Sequence, residues 1–191
     1  MEANSSLIDA RKNIKGLQIL DPYIYKDNRG LFFESWNKKI FDTIVDENIV
    51  FIQDNQSSSL KGVIRGLHYQ LKPYEQGKLI RCVKGQVYDV AVDIRKQSPT
   101  FGKWYGVYLS EENKRQFWIP SGFAHGFIAL SENANVLYKV SNAWCKECER
   151  TIRWDDPTIN IDWPKKDTQI KLSEKDAIAP FISQLNYNDL F

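Results

Sequence analysis

Between Lys78 and Arg95 the chain alternates: Tyr88, Val90, Val92 and Ile94 fall on one side of an extended backbone, and Val87, Asp89, Ala91 and Asp93 on the other. This period of two is the signature of a strand, and Lys84-Gly85 reads as a turn ahead of it. The period returns at Tyr105, Val107 and Leu109, pauses at the polar connection Ser110-Glu111-Glu112-Asn113-Lys114, and resumes from Phe117 to Ile119 until Pro120 ends it. Gly122 and Gly126 bracket a tight segment, and Ser131-Glu132-Asn133 marks the next break. Val136, Tyr138 and Val140 then alternate with Leu137, Lys139 and Ser141, which sets Tyr138 on a β-branched face. Helical signal is confined to about Asn37 to Val45 and to a C-terminal piece opening at Ser173-Glu174-Lys175-Asp176, which reads as an N-cap and capping box. The class is mainly β, and short strands at this spacing predict a sandwich or barrel. No solenoid repeat, low-complexity tract or Gly/Ser linker divides the chain, so a single domain over 1–191 is expected.

Composition narrows the function classes. A chain of 191 residues, 42% hydrophobic and 13% aromatic, is too rich in large apolar side chains for disorder and long enough for its own core. Lys+Arg 26 against Asp+Glu 24 leaves a net charge of +2, which argues against nucleic acid or an anionic membrane as partner. No apolar run reaches the roughly 20 residues of a membrane span. The start Met1-Glu2-Ala3-Asn4-Ser5 lacks the layout of a signal peptide, so the expected location is cytoplasmic. Three cysteines without a secretory signal predict reduced thiols. Cys145 and Cys148 form a C-x-x-C, a spacing that serves metal or redox chemistry. A zinc site needs a second pair of ligands, though, and only Cys82 and two distant histidines remain. No metal is expected.

The two histidines are the side chains suited to proton transfer near neutral pH. His68 lies in Val63-Ile64-Arg65-Gly66-Leu67-His68-Tyr69-Gln70. In a regular strand Arg65 and His68 would face opposite ways, unless Gly66 introduces a bulge. His125 falls in Gly122-Phe123-Ala124-His125-Gly126-Phe127, where the chain turns beside bulky apolar residues. Neither belongs to an H-x-H or H-E-x-x-H pair, and on these segments alone each fits a packed core histidine as well as a catalytic one. Asp27-Asn28-Arg29-Gly30-Leu31-Phe32-Phe33-Glu34 groups a guanidinium, a ring and a carboxylate that could read a nucleobase, or equally a turn feeding an edge strand. Arg65, Lys78 and Arg81 are candidates for a diphosphate, or surface charge.

Taken together, these segments resemble the dTDP-4-dehydrorhamnose 3,5-epimerase family. The resemblance runs through Asp27 to Glu34, Gln53-Asp54-Asn55, Arg65 to His68, Gln76 to Leu79, Asp89 to Arg95, Trp118 to Pro120, Gly122 to Phe127, Tyr138-Lys139, Trp154 to Pro157, Asp162 to Pro164 and Leu172 to Asp176. It implies a double-stranded β-helix, a jelly-roll barrel of the cupin type, with a few short peripheral helices. It implies a 4-keto-6-deoxy sugar linked to dTDP as substrate, with C3 and C5 each inverted through an enolate and no cofactor. By the same resemblance His68 is the base, Asp176 its partner, Lys78 the cation at the carbonyl and Tyr138 the acid on the opposite sugar face. Arg65 would hold the diphosphate, with Gln53, Asn55 and His125 around sugar and phosphates. Arg29, Phe32 and Glu34 would contact thymidine from a neighbouring subunit, which implies a homodimer. Two positions depart from the family pattern: Gln56 stands where His is frequent, and Trp144 where Tyr is frequent, keeping a π-face for the base. Three rivals remain: a single-site epimerase or ketoisomerase on a related nucleotide sugar, a non-catalytic nucleotide-sugar sensor, and a metal-dependent enzyme of the same fold. Tyr138 weighs against the first, the complete set of His68, Asp176, Lys78 and Tyr138 against the second, and the absence of an H-x-H or H-E-x-x-H pair against the third.

Overall fold

A computed structural model of the chain describes residues 14–45, 48–165 and 168–191; the polar start Met1 to Ser5 lies outside them. The alternating segments become twelve strands, named in chain order β1 (Gln18–Leu20), β2 (Ile24–Asp27), β3 (Gly30–Phe33), β4 (Gln53–Leu60), β5 (Ile64–Gln70), β6 (Lys78–Lys84), β7 (Gln86–Asp93), β8 (Trp104–Ser110), β9 (Gln116–Ile119), β10 (Phe123–Ala129), β11 (Asn133–Val140) and β12 (Glu149–Thr151). Helices are short: α1 (Lys38–Val45) follows β3, and α2 (Glu174–Ala177) lies near the C-terminus. The expected turn at Lys84-Gly85 separates β6 from β7. Gly85 has φ +70, and a Cβ there would fall 2.3 Å from the Asn133 carbonyl oxygen, so only glycine turns the chain at that point.

Two five-stranded sheets form, in the orders β1-β9-β6-β11-β4 and β12-β5-β10-β7-β8, while β2 and β3 make a separate hairpin. Pairing between the named strands is antiparallel throughout. Ile80, Phe117, Ile119 and Val136 of the first sheet meet Val87, Ala91, Tyr105, Val107 and Phe127 of the second in one buried cluster. Two antiparallel sheets closing on a shared interior are the double-stranded β-helix, a jelly roll of the cupin type.

The outer faces of both sheets are also covered. Ile64, Val90, Val92 and Ile128 of the second sheet pack outward against Ile152, Ile159, Trp163 and Ile182. Both faces of β7 are therefore buried, and its alternation separates two cores rather than core from solvent. On the first sheet, Phe41 of α1 buries itself against Leu79 and Trp118, with Trp36 and Phe51 beside them. Among the described residues no helix is long and apolar enough to cross a membrane.

Candidate active site

One mouth of the barrel holds a cavity of about 480 Å³ lined from both sheets. Gln53, Asn55 and Ser57 enter it from β4, Lys78 from β6 and Tyr138 from β11, all in the first sheet. Arg65, His68 and Gln70 enter from β5, His125 and Phe127 from β10 and Glu149 from β12, in the second. The volume suits a small ligand site.

Arg65 and His68 reach the same cavity because β5 is bulged. Pairing with β10 places His125 opposite His68 and Phe127 opposite Arg65, so three steps on β5 match two on β10. Gly66 makes this possible: its φ is +125, and a Cβ there would meet Gly126 Cα at 2.5 Å and the His125 carbonyl oxygen at 2.7 Å. The Arg65 guanidinium is steadied from the first sheet, where Nε donates to Ser59 Oγ at 3.0 Å and an Nη to the Ser58 carbonyl at 3.3 Å.

His68 Nε2 lies 2.6 Å from Asp176 Oδ1. Ser173 caps α2 by accepting the Asp176 N–H at 3.1 Å, as the sequence pattern predicts. The reciprocal half of the capping box gives way, since the Asp176 carboxylate turns to His68 and to the Gly66 N–H, 3.4 Å away. Burial pushes the Asp176 carboxyl upward, but the hydrogen bond and charge of His68, with the Gly66 N–H, hold it below its ordinary value. An ionised Asp176 accepting from Nε2–H leaves His68 Nδ1 as the proton acceptor.

Lys78 is buried, and its Nζ donates to the His68 carbonyl oxygen at 3.1 Å. Burial pulls its ammonium down to about 8, against the attraction of Asp89 and Glu149. Burial raises the Tyr138 phenol, which keeps it protonated at neutral pH, with Arg65 opposing. His125 Nε2 lies 3.0 Å from each carboxylate oxygen of Asp89. Burial pulls this imidazole toward its neutral form, and Asp89 works the other way.

Of the other expected residues, Gln53 Nε2 donates to Asn55 Oδ1 at 2.8 Å, and Trp144 lies on the rim, its N–H donating to Gln53 Oε1 at 3.2 Å. Arg29, Phe32 and Glu34 do not join them. They belong to the β2–β3 hairpin and its exit, where Arg29 pairs with Asp27 at 2.6 Å and Phe32 is 70% exposed. Glu34 accepts from Asn37 Nδ2 at 3.2 Å. Arg81 is also outside the cavity: three unbulged steps from Lys78 put it on the opposite face of β6, beside Trp36, Asp54 and Gln116. Gln56 faces outward on β4, so that departure from the family pattern stays off the cavity wall. Ser57, Gln70, Phe127 and Glu149 on the cavity wall and Asp89 behind His125 escaped the sequence reasoning; the signal for Asp89 was a carboxylate between Val87 and Ala91 on the inward face of β7. Among the described residues no three His, Cys, Asp or Glu side chains converge as a metal-binding group.

A histidine with a spare nitrogen on one wall, a protonated phenol on the other and a buried cation lining the same cavity are equipped to move protons on a bound substrate. The class defined by this fold and site is a cupin-type isomerase. The family model described as dTDP-4-dehydrorhamnose 3,5-epimerase matches residues 11–184. A dTDP-4-dehydrorhamnose 3,5-epimerase from Shigella flexneri is 57% identical over 166 residues, 87% of this chain and 91% of that protein. Among solved structures, the dTDP-6-deoxy-D-glucose-3,5-epimerase of Legionella pneumophila in complex with dTDP-4-keto-L-rhamnose superposes with TM-score 0.89 at 50% identity, covering 93% of each chain. ChmJ, a 3'-monoepimerase from Streptomyces bikiniensis in complex with dTDP-quinovose, superposes with TM-score 0.84 at 32% identity, covering 89% of this chain and 85% of that one. The chain belongs to the dTDP-4-dehydrorhamnose 3,5-epimerase family.

Proposed function

We propose that the protein epimerises C3 and C5 of dTDP-4-dehydro-6-deoxy-D-glucose, giving dTDP-4-dehydro-L-rhamnose for dTDP-L-rhamnose synthesis. Both carbons flank the 4-keto group, so a proton removed from either leaves an enolate whose charge spreads onto the ketone oxygen, and no redox cofactor is needed. His68 Nδ1 takes the proton, while Asp176 holds the tautomer and stabilises the imidazolium. The C–H electrons enter the enolate, whose oxygen is stabilised by the buried Lys78 ammonium. Tyr138 returns a proton to the carbon from the opposite face and is itself reprotonated from solvent, while the His68 imidazolium releases the abstracted proton to solvent, which restores both groups. A base and an acid on the same wall would restore the original centre.

The observation that carries this reading is that His68 stands on β5 of one sheet and Tyr138 on β11 of the other, lining a single cavity. Arg65 holds the diphosphate by its remaining donors. Gln53, Asn55 and His125 bind around sugar and phosphates, and Trp144 stacks on the base. Arg29, Phe32 and Glu34 reach the thymidine of a second copy in a homodimer. The exposure of Tyr23 at 75%, Tyr25 at 60% and Phe32 at 70% on one small hairpin region supports such a covered surface. The chain works as one epimerase domain in the cytoplasm, without metal.

The test is an NMR time course of purified protein with dTDP-4-keto-6-deoxyglucose in deuterated water. Deuterium at both carbons with the L-lyxo product is the expected result. The likeness to the 3'-monoepimerase favours one second reading, a single-site epimerase, for which deuterium would enter at one carbon only. Absence of exchange would refute both and leave a binding protein.

A further inference from the structure

The loop between β11 and β12 carries Cys145 and Cys148, both partly exposed free thiols, whereas Cys82 is buried. The loop is pinned to its neighbours. The Cys145 N–H donates to Gln70 Oε1 at 2.8 Å, and the Cys148 carbonyl accepts the Leu71 N–H at 2.9 Å. Within the loop the Cys148 N–H donates to the Cys145 carbonyl at 3.2 Å, closing a four-residue turn. Such a turn brings its first and fourth Cα atoms within about 7 Å, and a disulfide spans about 4.4–6.8 Å between Cα atoms. The neighbouring Cys145 thiol pushes the Cys148 thiol up to about 11, and the Cys145 thiol donates to Glu147 Oε2 at 3.7 Å. The turn thus holds both partly exposed thiols within the Cα span that a disulfide bridges.

We propose that Cys145 and Cys148 are a reversible dithiol–disulfide site on the rim of the substrate cavity, oxidised by a low-molecular-weight disulfide. One protein thiol gives its proton to solvent, and its sulfur attacks a sulfur of the small disulfide, expelling one small thiolate. The second cysteine, deprotonated in turn, attacks the mixed disulfide and expels the other. Two protein thiols are oxidised, and one small disulfide is reduced to two small thiols, which take up the two protons. Because the thiolate is the attacking species and Cys145, ahead of burial and Glu147, disfavours it at Cys148, exchange speeds up as pH rises.

Closure reaches the cavity through the chain itself. Trp144 precedes the turn and Glu149 follows it, and both line the cavity. Two thiols held by one turn must approach to about 2.0 Å to bond, which draws Cys145 and the adjoining Trp144 away from the wall. His68, Asp176, Lys78 and Tyr138 lie on other elements and keep their places. This coupling rests on the substrate assignment above, whereas the dithiol chemistry does not.

The full chain would be incubated with oxidised glutathione at mildly alkaline pH, then examined by thiol titration under denaturing conditions and by intact mass. The expected result is a fall from three free thiols to one, with the loss of two hydrogen masses, no retained glutathione and reversal by dithiothreitol. The oxidised protein should show a KM raised about fivefold at unchanged kcat, as for a weakened base stack. A Cys145→Ser/Cys148→Ser variant should ignore the oxidant. Three surviving thiols, or glutathione retained on one cysteine, would overturn the dithiol site, and this readout holds even for a protein that turns over no sugar. A formed disulfide with unchanged KM would overturn the coupling.

Discussion

Asp176→Asn separates the role of the carboxylate from that of the fold. Asp176 receives two donors, His68 Nε2 at 2.6 Å and the Gly66 N–H at 3.4 Å. An amide has one oxygen for those two donors. If it stays with the buried Gly66 N–H, the NH2 turns to His68, which must then accept at Nε2 and carry its proton on Nδ1, so the base is lost to the wrong tautomer. The negative charge that stabilises the imidazolium is lost as well. General-base catalysis contributes about 10²–10⁴-fold, and misassigning the tautomer removes most of it, so kcat should fall about a thousandfold. Asp176 does not line the cavity, so KM should change little. The N-cap bond uses the backbone N–H of Asp176 and survives the substitution. The assay is single-turnover epimerisation with deuterium exchange at C3 and C5, alongside thermal unfolding. A folded variant retaining more than about a tenth of wild-type kcat would refute the carboxylate's role. The carboxyl is depressed in the native state, so its stabilisation is present above its unfolded pKa and lost as pH falls through the folded value. Wild type should therefore lose more stability on acidification than the variant.

His68→Ala should abolish exchange at both carbons, and exchange retained by that variant would remove His68 as the base. Tyr138→Phe keeps the base and loses the acid, so exchange at C3 should outlast inversion at C5; equal loss of both would make Tyr138 a positioning group. Lys78 is charged below about 8, so kcat/KM of the free enzyme should fall as pH rises through that value. Lys78→Arg, slower overall, should move this limb to higher pH, and a limb that stays in place belongs to another group. His125→Asn should raise KM while exchange continues at both carbons, and loss of exchange with KM intact would transfer the base to His125.

The period-two pattern was enough to place β7, β8, β9 and β11, because a strand writes its two faces directly into the chain. It missed β10, where the segment around His125 read as a turn and is instead the strand Phe123–Ala129, buried on both faces. It could not decide whether Arg65 and His68 share a face, since that depends on a bulge at Gly66 set by φ and by the close passage of Gly126. Nor could spacing pair His68 with Asp176, which lie 108 residues apart and meet only through the cover over the second sheet. Arg81 misleads for the opposite reason: its strand has no irregularity there, so parity alone turns it away from Lys78. The hairpin residues Arg29, Phe32 and Glu34 were legible as a chemical set, but the fold sets them on the β2–β3 hairpin and its exit, away from the cavity.

The two His–Asp pairs show why composition cannot assign a base. Each histidine has a carboxylate within hydrogen-bond reach, yet their access differs. The His68 side chain is 30% exposed above an Asp176 that is 4% exposed, whereas His125 is 9% exposed above a fully buried Asp89. A base must approach a C–H bond and, once protonated, carry a charge that solvent and its partner can bear. His68 meets both conditions at the cavity wall. Charging His125 would place another cation in the buried interior beside Lys78, and burial already pulls its imidazole toward neutrality. The barrel thus uses a His–Asp pair twice, with the histidines on the neighbouring strands β5 and β10, one ring open to the cavity and the other pulled toward neutrality by burial.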